Sequence, residues 1–185
     1  LEGGRRPRKP LAARATGTCL AACAPPPPTI PPVASVDLPR FMGDWYVIAQ
    51  IPTYIERKAF DSVESYRLDE DGKIRTTFRY RNGSADAPLK TMEPVGRVVP
   101  GTNNAVWEMQ FVWPIQAEYV IVDLAPDYSR TIVGRSKRDY VWLMARTPSL
   151  PAPELAAAIE KIRVLGYDTA KLRMVPQAAA NAPAP

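Results

Sequence analysis

Apolar and polar side chains alternate with a period of two along most of the chain between residues 43 and 145. The clearest case is the segment 107–113, in which Trp, Met and Phe alternate with Glu and Gln. Such alternation predicts half-buried β-strands, because successive side chains of a strand point to opposite faces. Turn signals, among them Asn82-Gly83, separate the segments. Eight strands are predicted, at residues 45–51, 62–68, 74–80, 95–99, 107–113, 119–124, 131–134 and 140–145.

The spacing of the apolar residues changes after the last of these strands. Pro153 and Glu154 open a segment with helical spacing and Gly166 ends it, which predicts one amphipathic helix. A short strand at 171–175 follows. Short antiparallel strands fit either a two-sheet sandwich or an up-and-down barrel, and a sandwich has no need of a single C-terminal helix. The order of elements therefore favours an all-β barrel of eight antiparallel strands, with one α-helix and a short closing strand.

Both ends of the chain differ in composition from the alternating part. Residues 1–23 form a basic tail, and residues 24–35 are so rich in proline that they favour an extended, stiff linker. Residues 177–185 are almost all Ala and Pro and are expected to be disordered. The sequence thus predicts one folded domain at residues 36–176.

The net charge of +5 belongs mostly to the N-terminal tail, where five basic residues accompany one acidic residue in positions 1–33. A basic tail ahead of a nearly neutral domain is not the pattern of a nucleic-acid-binding surface. The chain has no histidine, which removes the usual general base and the commonest metal ligand. We therefore predict no metal site, no cofactor and no nucleic-acid partner.

Both cysteines, Cys19 and Cys23, lie in the basic tail, so no disulfide can close the predicted domain. The stretch Leu20-Ala21-Ala22-Cys23 fits a lipobox, in which small residues precede the cysteine that becomes the acylated N-terminus of a bacterial lipoprotein. Residues 1–23 would then be its signal region, although Arg14 and its polar neighbours interrupt the apolar part. The alternative is a pair of thiols in a flexible arm. We predict Cys23 as a lipidation site.

Two short motifs mark the ends of the predicted barrel. Gly43-Asp44-Trp45 opens the first strand, and Arg146-Thr147-Pro148 follows the last one. With these motifs the chain resembles the lipocalins, and among them the bacterial outer-membrane lipocalins related to apolipoprotein D. The resemblance covers residues 36–176. A further family motif stands here as Pro126-Asp127-Tyr128, with proline in the place of the usual threonine.

The resemblance implies an eight-stranded calyx that binds a small hydrophobic ligand or lipid without catalysis. Trp45 is expected to close one end of the barrel, with the Arg146 guanidinium across its indole. The protein would be an outer-membrane lipoprotein facing the periplasm and anchored through Cys23, or alternatively periplasmic or soluble. A homodimer is compatible with the sequence. The residues with predicted structural roles are Gly43, Trp45, Asp127, Tyr128 and Arg146.

The alternation also predicts which side chains face the inside of the barrel, where eight strands leave room for one small ligand. The parity of Trp45 places Val47, Ala49 and Ile51 inside. The same reasoning gives the other strands an aromatic and apolar inner wall and places Asp123 inside. The predicted ligand-binding residues are Val47, Ala49, Ile51, Glu64, Tyr66, Phe78, Tyr80, Trp107, Met109, Phe111, Trp113, Tyr119, Ile121, Tyr140 and Trp142.

Charged groups belong to this predicted pocket at two places. Glu64 shares the inward parity of Tyr66. It either lies near the mouth, pairs with an arginine, or holds the polar head of a ligand, because a buried unpaired carboxylate is costly. In the loop at 52–61, Arg57 and Lys58 either bind an anionic head or are ordinary solvated charges.

Three functions compete at this point. The leading one is the binding, storage or transport of fatty acids, lysophospholipids or similar lipids at the bacterial cell envelope. The second is an enzyme on the same barrel with isomerase or epoxide chemistry, for which only Glu64, Asp123 and the tyrosines could act as acids or bases. The third is an envelope scaffold whose barrel is filled.

Overall fold

The computed structural model describes residues 29–112 and 115–178. The predicted sites at Cys23 and Trp113 lie outside these residues. Two α-helices are described, α1 (Leu38–Phe41) and α2 (Ala152–Val164), with a short 3-10 helix at Thr169–Lys171. The strands within the described residues are β1 (Gly43–Ile51), β2 (Ala59–Leu68), β3 (Lys73–Asn82), β4 (Leu89–Met92), β5 (Val95–Val98), β6 (Val106–Val112), β7 (Ile115–Leu124), β8 (Arg130–Gly134), β9 (Val141–Ala145) and β10 (Arg173–Met174).

One antiparallel sheet closes into a barrel whose wall is eight strands around, which confirms the predicted fold class. The order around the barrel is β1, β2, β3, β5, β6, β7, β8 and β9, and β9 pairs back with β1. Strand β4 pairs with the C-terminal half of β3 and β5 with its N-terminal part, so β4 and β5 share one position in the wall. Glu93 and Pro94 separate these two strands, and proline cannot donate a ladder hydrogen bond.

Helix α2 packs on the outside of the barrel, as predicted. Ala158 and Ile162 of the helix are buried in one apolar cluster with Ile132 of β8 and Leu143 of β9. Both faces of these barrel strands are therefore covered, which is why they read as nearly continuous apolar runs. The short strand β10 pairs with β1 at Ala49 and completes the sheet.

One end of the barrel is closed by α1. Asp37 caps this short helix by accepting a hydrogen bond from the backbone N–H of Arg40 (3.3 Å). Phe41, at its C-terminal end, is fully buried and packs against Trp45, with ring centroids 4.9 Å apart. The indole Nε1 of Trp45 donates to the carbonyl of Phe41 (2.8 Å), so this buried indole donor is paired. Trp45, Tyr66 and Trp107 all pack on Phe41, and these four rings form the aromatic floor of the barrel.

Arg146 fastens this closed end. Its guanidinium lies 3.8 Å from the centre of the Trp45 ring, which confirms the predicted cation–π contact. One terminal nitrogen donates to the carbonyl of Asp44 (2.8 Å). The other donates to the carbonyls of Arg40, Phe41 and Met42 at 2.9–3.0 Å. A single side chain thus joins the last strand to the helix and to the first strand.

The other motif residues support the same end. Gly43 has a φ of +94°, where a side chain would be strained, and a Cβ there would lie 3.4 Å from an Arg146 nitrogen. The hydroxyl of Tyr128 accepts a hydrogen bond from the backbone N–H of Asp37 (2.9 Å). Asp127 accepts from the backbone N–H and the hydroxyl of Ser129 (3.0 and 2.7 Å), which fixes the β7–β8 turn.

The folded domain begins earlier than the sequence predicted. Residues 29–35, assigned to a proline-rich linker, lie against the barrel instead. Ile30 is fully buried beside α2 and the outer face of the sheet. The backbone N–H of Val33 donates to the carbonyl of Ile121 (2.9 Å). The apolar side chains of this segment therefore pack, although its prolines keep it extended.

The domain also ends later than predicted. Gln177 was placed in a disordered tail, but it is 5% exposed. Its amide nitrogen donates to the carbonyls of Val47 (2.9 Å) and Ser62 (3.0 Å). These two carbonyls lie in β1 and β2, so Gln177 holds the two strands together beyond their own ladder.

We expect Trp45→Ala to lower the free energy of unfolding by about 3–5 kcal/mol, the usual cost of truncating a buried tryptophan. Trp45 is fully buried and supports both Phe41 and Arg146. Urea denaturation measures the loss. Val164→Ala, at a 70% exposed position of α2, is the control and should change stability little. A loss under about 1 kcal/mol for Trp45→Ala would contradict this account of the closed end.

Candidate ligand-binding site

A cavity of about 390 Å³ lies inside the barrel, between the aromatic floor and the open end. Its wall combines strand residues with residues of the loops at the open end. Apolar and aromatic side chains dominate the strands, and most charged side chains belong to the loops or strand ends. The lining residues are Thr53, Ile55, Glu56, Glu64, Phe78, Met92, Pro94, Met109, Phe111, Gln116, Ala117, Glu118, Tyr119, Arg135, Lys137, Tyr140 and Trp142.

The fourteen predicted ligand-binding residues that the structure describes, all but Trp113, divide into three groups. Five of them, Val47, Tyr66, Tyr80, Trp107 and Ile121, are buried in the apolar cluster inside the barrel without lining the cavity. Two of them, Ala49 and Ile51, face outward. The residues that do line the cavity are Glu64, Phe78, Met109, Phe111, Tyr119, Tyr140 and Trp142.

The inner residues below the cavity form its floor. Trp107 stands edge-on to Phe41, with centroids 5.3 Å apart, and stacks on Tyr119 at 4.9 Å. Tyr66 packs against Phe41 and Trp107, both at 5.7 Å between centroids. The sequence predicted these rings as inward, and their interlocking explains why they fill the closed end rather than lining the cavity.

The inward positions predicted for Ala49 and Ile51 are wrong, because β1 contains a β-bulge at Ile48. The pairing with β9 shifts between Val47 and Ala49. An inserted residue reverses the faces of every residue after it. Ala49 and Ile51 consequently pack in the outer cluster beneath α2. Gln50 takes the inward position, opposite the cavity-lining Trp142 of β9.

Asp123 is also misplaced by parity, for the same reason. A bulge at Val122 shifts the pairing of β7 with β8 between Ile121 and Asp123. The carboxylate of Asp123 therefore points to the outside of the barrel. There it forms ion pairs with Arg130 of β8 and Lys161 of α2.

Sequence reasoning missed most of the loop residues at the mouth. Arg135 and Lys137, in the β8–β9 loop, line the cavity, whereas the mouth-loop cations Arg57 and Lys58 are exposed and do not. Strand alternation carries no signal for loop residues, because their direction depends on how each loop folds. Met92 was missed because β4 is too short to give a pattern.

Glu56 folds the β1–β2 loop into the mouth. This carboxylate is 5% exposed. Its two oxygens accept hydrogen bonds from the indole Nε1 of Trp142 (2.9 Å) and the backbone N–H of Thr53 (3.0 Å). The amide of Gln50 donates to the Glu56 carbonyl (3.2 Å). An acidic side chain is thus held at the wall of the cavity by neutral donors.

Glu64 lies deeper, at the bottom of the cavity. Its side chain accepts a hydrogen bond from the hydroxyl of Tyr66, which is in turn 2.6 Å from the hydroxyl of Tyr119. No lysine or arginine among the described residues forms an ion pair with Glu64. Of the alternatives drawn from the sequence, pairing with an arginine is therefore not found within residues 29–112 and 115–178.

Burial controls the electrostatics of this group. Loss of solvation raises the pKa of Glu64 to about 7, the hydrogen bond from Tyr66 opposes that rise, and the charge of Glu56 adds to it. Burial also raises the pKa of Tyr66 and of Tyr119 well above the usual value, so both hydroxyls remain neutral donors. The bottom of the cavity therefore presents a carboxyl group that changes its charge near neutral pH.

The described residues contain no group of three or more side chains that could hold a metal ion. Among the same residues, no helix combines the length and the apolar character needed to cross a membrane. The candidate ligand-binding site is an apolar cavity. It has one deep carboxyl group, a second acidic group on its wall and cations at its mouth.

Comparison with known proteins identifies the family of this chain. A family model described as a lipocalin-like domain matches residues 36–177. The outer membrane lipoprotein Blc of Vibrio cholerae is 29% identical over 158 residues, which cover 84% of this chain and 91% of the relative. Blc of Escherichia coli K12 is 26% identical and covers 91% of this chain and 96% of the relative. Apolipoprotein D of Macaca fascicularis is 31% identical, with 67% and 68% covered.

The chain belongs to the lipocalin family. The resemblance drawn from its sequence motifs, to bacterial outer-membrane lipocalins and apolipoprotein D, is confirmed. Among solved structures, insecticyanin from the tobacco hornworm Manduca sexta shares the fold, with a TM-score of 0.64 at 19% identity. That match covers 83% of this chain and 87% of insecticyanin.

Because the pKa of Glu64 is raised in the folded protein, the free energy of unfolding should depend on pH. Between the pKa of an unfolded glutamate, 4.5, and about 7, the folded protein keeps a proton that the unfolded chain has released. Stability therefore falls as the pH rises through this window and is constant above it. Glu64→Gln does not titrate and should gain up to about 3 kcal/mol relative to wild type when the pH changes from about 5 to about 8.

Urea denaturation of ligand-free protein at the two pH values measures this difference. Glu70→Gln, in the exposed turn between β2 and β3, is the control and should shift stability equally at both. If Glu64→Gln also shifts stability equally at both pH values, Glu64 titrates as a solvated group and the account of its burial is wrong.

Proposed function

We propose that this protein binds a small hydrophobic ligand in the barrel cavity, at the bacterial cell envelope. The cavity of about 390 Å³ is the observation that carries this proposal. It falls in the size range of small-molecule sites, and its wall has the expected mixture of apolar side chains and a few polar groups. A filled barrel, as a scaffold would have, does not offer such a space.

Access to the cavity comes from the open end. Its rim exposes several large apolar side chains, with Tyr54 at 81%, Leu89 at 53% and Phe111 at 43% exposure. Among the described residues, β4 pairs with β3 but not with β6, so one edge of this short strand is unpaired. These features support entry of an apolar ligand at this end.

The expected affinity follows from the burial of apolar surface. Each buried methylene group contributes about 0.8 kcal/mol, so about ten of them give a dissociation constant in the micromolar range. Binding of this kind needs no catalytic group. Asp123, one of the candidate acids or bases, lies outside the barrel, which leaves Glu64 and the tyrosines as hydrogen-bonding partners for a ligand.

The proposed location of the protein at the cell envelope is supported by its relatives and by its N-terminal sequence. The relatives from Vibrio cholerae and Escherichia coli are outer membrane lipoproteins by name. The match to the Escherichia coli protein covers 91% of this chain, so it extends into the segment before residue 29, where Leu20-Ala21-Ala22-Cys23 lies. We infer that Cys23 is acylated and that residues 24–28 connect the anchor to the barrel.

The cavity proposal predicts the effect of filling it. Ala117 lines the cavity opposite Met109. Ala117→Phe should weaken binding of a neutral apolar fluorophore by at least about ten-fold, because the new ring occupies the ligand's space. Fluorescence titration measures the affinity, and circular dichroism checks the fold. Ala157→Phe, on the exposed face of α2, is the matched control. Equal affinity for both variants would place the ligand elsewhere.

The anchor proposal predicts the effect of removing Cys23. Cys23→Ser should move the protein from the membrane fraction to the soluble fraction, because stable anchoring needs the several acyl chains of a lipoprotein cysteine. Cys19→Ser is the control and should leave the protein at the membrane. Fractionation and mass spectrometry of the N-terminal peptide provide the measurement. A Cys23→Ser variant that stays in the membrane fraction would contradict the anchor.

A further inference from the structure

We propose that Glu64 binds a protonated nitrogen of the ligand at the bottom of the cavity, so that the preferred ligand is an amphiphilic amine rather than a fatty acid. This inference rests on the proposed function and names the ligand class. It reverses the expectation from the sequence, which favoured fatty acids. The polar end of the ligand would point into the barrel and its apolar body toward the open end.

Glu64 lies inside the barrel, next to the aromatic floor. The residue belongs to β2, directly opposite Phe78 of β3, and it lines the cavity. Tyr66, two residues further along the strand, already belongs to the aromatic floor. Glu64 is therefore the polar group next to the floor, and it is only 9% exposed.

The Glu64 side chain has one hydrogen-bonding partner among the described residues. Tyr66 donates the only hydrogen bond that the described residues give to this side chain, and the acceptor is Oε2. The other oxygen, Oε1, has no donor among them. Because Glu64 lines the cavity, this oxygen is available to a ligand. A ligand that supplies an N–H group would complete the coordination that the fold leaves open.

A buried carboxyl group without a cation lowers the stability of a folded protein. Such a group loses its hydration, and in a folded protein it is normally compensated by a paired positive charge. Asp123 shows this compensation on the outside of the barrel, where it pairs with both Arg130 and Lys161. Glu64 has no such partner among the described residues, so a cationic ligand is the compensation that fits.

The aromatic groups near Glu64 suit a cation as well. Tyr119 and Trp142 both line the cavity, with ring centroids 6.4 Å apart and an interplanar angle of 22°. The faces of such rings attract ammonium groups. Glu56 adds a second negative group on the same wall. A carboxylate head at this depth would meet the acidic side chain of Glu64 and the aromatic rings beside it.

The mouth of the cavity carries cationic side chains, whereas the bottom carries an acidic one. Arg135 and Lys137 lie in the β8–β9 loop and line the entrance of the cavity. Arg135 pairs with Asp139 (3.3 Å), whereas Lys137 has no ion-pair partner among the described residues. A fatty acid would therefore place its head at the mouth, and an amine would place its head at the bottom. The two ligand classes are expected to bind in opposite directions.

The pH dependence separates the two classes further. Burial raises the pKa of Glu64 to about 7, and an alkylammonium group remains charged well above that pH. Amine affinity should rise between about pH 6 and about pH 8, as Glu64 becomes a carboxylate. The groups facing Glu64 are Glu56, Tyr66 and Tyr119, and both tyrosines stay neutral in this range. The charged groups at the mouth are Glu118, Arg135 and Lys137.

The test compares three ligands with the same chain: dodecylamine, dodecanoic acid and 1-dodecanol. Each displaces the uncharged fluorophore N-phenyl-1-naphthylamine from delipidated full-length protein. At about pH 8 dodecylamine should bind at least about ten-fold more tightly than dodecanoic acid, which is about 1.4 kcal/mol. Its affinity should fall by about five-fold or more at about pH 6, while that of dodecanol stays constant.

Glu64→Gln should remove the preference for the amine and its pH dependence, and dodecanol should still bind within about two-fold of wild type. Glu108→Gln, on the outer face of β6, is the matched control and should behave as wild type. An amine that binds no better than dodecanoic acid, or with no pH dependence in the wild type, overturns the inference. If dodecanol and the fluorophore still bind, only the inference fails. If no apolar ligand binds, the proposed function fails too.

Discussion

The contact of Arg146 with Trp45 and the backbone of α1 is the interaction on which the rest of the barrel depends. The carbonyls of residues 40–42 stand at the C-terminal end of a four-residue helix that cannot satisfy them internally. Arg146 donates to all three, donates to Asp44 as well, and covers the Trp45 ring. Because this guanidinium holds α1 across the end of the barrel, that end is closed, and the cavity opens at the opposite end.

The sequence predicted the barrel well because both of its determinants are local. Period-two alternation defines each strand, and the motif residues at 43–45 and 146 define the closed end. The bulges at Ile48 and Val122 could not be predicted, because the apolar residues at these positions look like those of a regular strand. Each bulge reverses the faces of the residues beyond it, so the positions of Ala49, Ile51 and Asp123 were assigned to the wrong side.

The polar groups of the site were harder to predict than its apolar wall. A side chain that packs needs only the right face of a strand, whereas the role of a charged group depends on its partners. Glu64 was correctly placed inside, yet only the structure shows that tyrosine hydroxyls and no described cation surround it. Glu56, Arg135 and Lys137 enter the cavity from loops and strand ends, and Arg57 and Lys58 do not. Loop direction is a tertiary property that no single-sequence periodicity encodes.

The location of Glu64 also bears on how stability and binding are related in this barrel. A leucine or methionine next to the aromatic floor would pack without loss of hydration, whereas a carboxyl group with a pKa near 7 weakens the fold at neutral pH. Asp123, on the outer face of the wall, is paired instead with two cations, Arg130 and Lys161. Unfavourable groups of this kind are concentrated at functional sites, where a ligand supplies the missing partner. The closed end can tolerate that loss, because Arg146 and the interlocked rings stabilise the floor independently of anything bound above it.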